Sequence, residues 1–121
     1  MKNLLFVLLL ISANTFAQDA SLLNKLSDTI NSAKVLCVGY SRPPEEVRKC
    51  TDEATVKATD IFNDLRKQYA KNPGATTALK NFFAASIGAM RMSVSGRSAG
   101  DQASIRTEEL FWLLKIEAGA I

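Results

Sequence analysis

Histidine is absent from this 121-residue chain, and cysteine occurs only twice. Without imidazole, the usual general base and the usual partner of a serine or cysteine nucleophile are both missing. Two cysteines cannot complete a zinc site, which needs two further ligands, commonly cysteine or histidine. No glycine-rich phosphate loop, Gly-x-Ser-x-Gly elbow or Ser-x-x-Lys dyad occurs. There is no internal repeat and no low-complexity tract. No apolar run approaches the roughly 20 residues of a membrane-spanning helix. These absences remove most catalytic, metal-centred and membrane-anchored classes, and no cofactor is expected.

Carboxylates and thioethers remain to be weighed. Glu45 with Glu46, Asp52 with Glu53, Asp60 with Asp64 and Glu108 with Glu109 are the acid pairs on which a hydrolase working like a glycosidase would have to rely. Each belongs to a charge-rich helical surface, and adjacent acids on a helix diverge by about 100°. A carboxylate-dependent envelope hydrolase is therefore the alternative reading, not the preferred one. Met90 and Met92, in "MRM", are soft ligands suited to Cu(I). A third soft ligand is missing, so core packing is the expectation for Met90 and a metal or lipid carrier stays a minor alternative.

The chain opens "MKNLLFVLLLISANTFAQDA": Lys2, an apolar run from Leu4 to Ile11, then a polar segment ending in small residues. That is the layout of a secretory signal peptide, with cleavage expected after Ala17 because Thr15 and Ala17 suit the peptidase pockets. No cysteine follows the run to accept a lipid. The expectation is a leader over 1–17 and a single helical domain over 18–121, periplasmic or secreted and without a stable membrane anchor.

The net charge of +3 falls to +2 once Lys2 leaves with the leader, too little to argue for nucleic acid. Residues 18–65 carry six Lys/Arg against eight Asp/Glu, and residues 66–121 carry eight against four. The reading favoured here is attraction between the two halves within the fold; a basic face for an anionic partner is the alternative.

Periodicity predicts four helices. Leu22, Leu26, Ile30, Ala33 and Cys37 recur at steps of three and four, and Gly39 offers a stop. "KVLCVGY" has a competing reading as a short strand. Pro44 followed by Glu45 and Glu46 is a favourable first turn for a second helix, because its missing N–H costs nothing there and the acids complement the helix dipole. Val47, Cys50, Ala54, Ala58, Ile61, Leu65 and Tyr69 then mark one face. Glu45/Lys49, Arg48/Asp52 and Glu53/Lys57 suggest weak i,i+4 ion pairs on the other.

"KNPGATT" breaks this helix, and Thr76 or Thr77 is the expected cap of a third with Leu79, Phe82, Phe83, Ile87, Met90 and Val94 as its apolar positions. "GAMRMSVSG" alternates enough to read as a strand instead, although Gly88 in a helix costs only about 1 kcal/mol relative to alanine. Ser98 or Asp101 can cap a last helix ending near Gly119. Short connections make the whole an all-α antiparallel four-helix bundle.

Cys37 and Cys50 fall on the apolar stripes of consecutive helices, which face each other if the second folds back on the first. Export supplies oxidising conditions, so a structural disulfide stapling the first hairpin is expected. A redox pair would need Cys-x-x-Cys at a helix start, and twelve intervening residues do not provide it.

The last helix contains more apolar surface than a bundle position needs. Leu110, Phe111, Trp112, Leu113, Leu114 and Ile116 wrap most of its circumference, and Phe111 and Trp112 cannot both face the centre. Phe82 and Phe83 pose the same problem. Either neighbours enclose the last helix, which is the favoured reading, or one aromatic of each pair belongs to a contact surface. Trp112, Phe111, Phe82 and Phe83, with Tyr40 and Arg42 at the hairpin tip, are the candidate partner-binding residues. The functional expectation is a small exported non-catalytic protein that binds another protein or a copy of itself, as an envelope inhibitor, an immunity-type protein or an adaptor would.

Overall fold

A computed structural model describes residues 20–38, 42–94 and 99–120, with backbone alone for 99–101. The predicted leader, Gly39, Tyr40, Ser98 and the side chain of Asp101 lie outside it. Helix α1 covers residues 20–36, α2 Pro44–Gln68, α3 Pro73–Val94 and α4 Ala99–Ala118. No strand occurs among the described residues: of the two segments with a strand alternative, residues 34–36 and 88–94 are helical, while Cys37 and Val38 form the turn that ends α1.

Local chemistry explains most helix ends. Helix α2 begins with Pro44 at its first position and Glu45 and Glu46 in its first turn, and ends on Arg66 and Lys67, each charge complementing the dipole. Helix α3 starts one turn earlier than the threonines suggest. Asn72 is the cap: its side-chain oxygen accepts from Ala75 N–H at 3.1 Å, and Pro73 occupies the first helical position. The Thr76 hydroxyl instead donates to the carbonyls of Tyr69 and Asn72, tying the new helix to the end of the old one. Helix α4 closes as predicted at Gly119, whose φ of 67° suits glycine. There Gly119 N–H donates to Ile116 O and Ala120 N–H to Lys115 O, the paired bonds of a Schellman ending.

Three contacts fix the antiparallel order. The disulfide joins Cys37, at the end of α1, to Cys50, in the second turn of α2, with Cα atoms 5.6 Å apart. The Asn72 amide donates to Glu117 O at 3.0 Å, bringing the start of α3 to the end of α4. Lys34 Nζ donates to Ser104 Oγ at 3.3 Å, bringing the end of α1 to the start of α4. Helix α3 packs most extensively on α4 and less on α2.

The core follows the predicted stripes with one shift. Leu23, not Leu22, joins Leu26, Ile30, Ala33 and Cys37 inside, while Leu22 is half-buried. Helix α2 contributes Ala58, Ile61 and Leu65, with Tyr69 just beyond its end, and α3 contributes Leu79, Phe82, Met90 and Val94. Thr51 is buried among them because its hydroxyl donates back to the carbonyls of Val47 and Arg48; Thr55 and Thr59 each bond back one turn in the same way.

One electrostatic expectation fails. Glu45/Lys49, Arg48/Asp52 and Glu53/Lys57 close no ion pair among the described residues, since these exposed side chains remain solvated. At Lys34 and Glu108, which come close across the groove, the lysine belongs to the acidic half and the glutamate to the basic one.

Candidate functional site

The paired aromatics separate cleanly. Phe82 is core at 2% exposure, its ring tilted against Phe111 at 5.0 Å between centroids. Phe83, on the adjacent side of α3, stacks on Phe62 of α2 at 4.4 Å and is half-buried. Helix α3 can house both because it has neighbours on two sides. Phe82 is therefore closed to a partner, and Phe83 is engaged within the fold. Arg42 is exposed.

Helix α4 has no such cover on its outer side. Leu114 is fully buried and Leu110 and Phe111 are half-buried, whereas Trp112 remains 58% exposed. Ile105 at 61%, Ile116 at 60% and Leu113 at 51% are exposed with it. At about 100° per residue, Ile105, Trp112 and Ile116 fall within a sector of about 40°, with Leu113 on its flank. Glu109 completes a 4-3-4 spacing along this line, and its carboxylate accepts from Arg106 at 3.2 Å. Such spacing is that of a helix-pairing seam.

Beside the seam, α1 and α4 enclose a groove of about 330 Å³. Phe82, Ser86 and Ile30 form its floor, and Lys34, Glu108, Trp112 and Lys115 stand along its walls. Burial holds the Lys34 ammonium below its ordinary lysine pKa, against a smaller opposing pull from Glu108. Lys115 Nζ lies 4.7 Å from the Phe111 ring centroid and 5.2 Å from that of Trp112. This cation holds the exposed indole beside the groove mouth.

The other candidate chemistries are dispersed. All eight carboxylates of the four acid pairs are exposed, and only Glu108 lines this groove. Met90 is buried in the core, while Met92 is at the surface, so the two thioethers do not converge. No cluster of histidine, cysteine or carboxylate residues able to hold a metal occurs among the described residues. No described helix is long and apolar enough to cross a membrane.

Sequence reasoning singled out Trp112 but missed Ile105, which stands alone between polar neighbours. It also missed Phe62, whose stacking on Phe83 removes that aromatic from the surface, and the Lys34–Ser104 contact, which joins residues 70 apart. No family model matches the chain, and comparison with curated proteins and with solved structures gives no match.

Proposed function

We propose that this is a small exported, non-catalytic protein that acts by binding another protein through the outer face of α4. The observation that carries the reading is the alignment of Ile105, Trp112 and Ile116, all more than half exposed, on one face of a helix whose opposite face already supplies the core. Large aromatic and aliphatic side chains held out in a row are what the centre of a protein interface uses. Export is supported by the leader-like N-terminus and by the disulfide, which suits an oxidising compartment. An envelope inhibitor, an immunity-type protein or an adaptor would each work in this way. A hydrolase using two carboxylates is less well supported, because the acids lie on exposed helix surfaces instead of facing each other across a cleft.

The test compares the oxidised protein with its Trp112→Ala variant as bait in the envelope fraction of the producing cell. The reading expects a specific partner to be lost with Trp112 while the melting temperature is unchanged. Equal capture by both baits, or a variant that simply unfolds, removes this face from consideration.

A further inference from the structure

We infer that the partner for which the α4 seam is built is a second copy of the same chain, paired antiparallel along α4. The inference rests on the protein-binding reading of this face and names its occupant. In heptad terms the inward-pairing positions are Ile105, Glu109, Trp112 and Ile116, spaced four, three and four. Placing a second α4 antiparallel over the first sets Ile105 against Ile116 of the copy, and Glu109 against Trp112 of the copy, each layer occurring twice by symmetry. The Trp112 indole then has an acceptor for its N–H, the Glu109 carboxylate of the copy, and no acid meets an acid.

The flanking charges select this arrangement. Glu108 and Lys115 are seven residues apart and lie on the same flank of the seam, one of them acidic and the other basic. Same-flank positions meet across an antiparallel pair. In the register that aligns the apolar layers, Glu108 therefore faces Lys115 of the copy, and Lys115 faces Glu108 of the copy. A parallel pair would instead bring Glu109 onto Glu109 and leave Glu108 against Leu113, trading two attractions for a repulsion. The face is self-complementary in one orientation only.

A single helix pair of this length hides on the order of 1,000 Å² in total, near the lower limit for specific interfaces, so the dimer is weak and concentration-dependent. Sedimentation equilibrium of the purified oxidised protein up to about 1 mM reaches the weak end of the measurable range. Wild type is expected to dimerise and Trp112→Ala to stay monomeric. Glu108→Lys alone and Lys115→Glu alone each place like charges in both of these symmetry-related pairs and should dimerise about tenfold more weakly. An equimolar mixture of the two single variants should recover the wild-type constant, because every cross-copy pair in the heterodimer is again opposite in sign.

Mixing also isolates the interface from the monomer. Glu108→Lys sets a second ammonium beside Lys34, but each chain carries that internal change into both the homodimer and the heterodimer. Circular dichroism melts of the single variants confirm that they remain folded. A chain that is monomeric throughout overturns self-pairing; so does a dimer indifferent to Trp112→Ala, or a mixture no tighter than its components. If self-pairing fails while capture of another protein still depends on Trp112, the protein-binding reading survives. If both fail, the face itself has been misread.

Discussion

Breaking the Cys37–Cys50 bridge tests the assignment of this corner as a staple. The bond joins residues 13 apart in sequence, and Cys37 is 1% exposed within the core. In the chain-entropy model a closed loop of this size restricts the unfolded chain enough to stabilise the native state by about 3 kcal/mol. For a domain of about 100 residues each kcal/mol moves the melting temperature by about 4–8 °C, so reduction should lower it by about 12–24 °C. Reduction is a better perturbation than substitution here, because Cys37→Ser would bury a hydroxyl and Cys37→Ala would leave a small cavity, each adding its own cost. The assay is urea unfolding followed by circular dichroism, with and without a phosphine reductant. The oxidised protein should also show the lower m value, since its unfolded state exposes less surface. Coincident transitions, or two titratable thiols in the protein as isolated, would refute the staple.

Five further substitutions test the packing and the burial of Lys34. Phe82→Ala should cost about 3–5 kcal/mol in urea unfolding, because a fully buried ring leaves a cavity between α1, α3 and α4, whereas Trp112→Ala should change stability by less than about 0.5 kcal/mol. Gly88 is exposed inside α3, and a Cβ added there meets nothing within 4 Å, so Gly88→Ala should raise stability by about 0.5–1 kcal/mol. Asn72→Ala removes both the cap of α3 and the bond to Glu117 O; a loss of about 1–2 kcal/mol is expected, and a loss near zero would mean that water replaces both bonds. Burial lowers the Lys34 pKa, so the folded state disfavours its ammonium, and this penalty is present at neutral pH and lifts as pH rises through the depressed folded pKa towards 10.5. Lys34→Met should therefore raise the urea midpoint at pH 7, with the gain shrinking at pH 10.5; a gain that grows with pH would contradict the assignment.

The fold was legible because its determinants are local. Apolar residues at steps of three and four, Pro44 with two glutamates, and Gly119 each act within a turn or two of their own position, and the structure uses them, with Leu23 in place of Leu22. The cysteines were legible for the same reason, since both lie on stripes that a short connection must bring together. The start of α3 was misplaced because Asn72 competes with Thr76 and Thr77. All three can cap, and the choice falls to Asn72 through its second bond, to a carbonyl of α4 45 residues away. The groove was not legible at all. Its walls come from α1 and α4, and nothing in "NSAKV" or "ASIRT" alone indicates that Lys34 and Ser104 meet.

Helix α4 shows where periodicity stops being sufficient. Hydrophobic patterning counts apolar positions around a helix, but the burial of each depends on how many neighbours surround it. Phe82 and Phe83 pose the same sequence problem as Phe111 and Trp112, yet they resolve differently. Helix α3 has α4 on one side and α2 on the other, so both of its aromatics find rings to pack on. Helix α4 meets α1 and α3 along its inner side, so only Phe111 of its pair turns inward. Val35, Leu36 and Val56 are exposed on α1 and α2 as well, but on α4 Ile105, Trp112 and Ile116 keep a pairing spacing, with Leu113 on its flank, and Lys115 holds the indole at the edge of the seam. Folding of one chain supplies no reason for that order. A covering helix would, and the opposite charges of Glu108 and Lys115 on one flank are what the proposed self-pairing draws on.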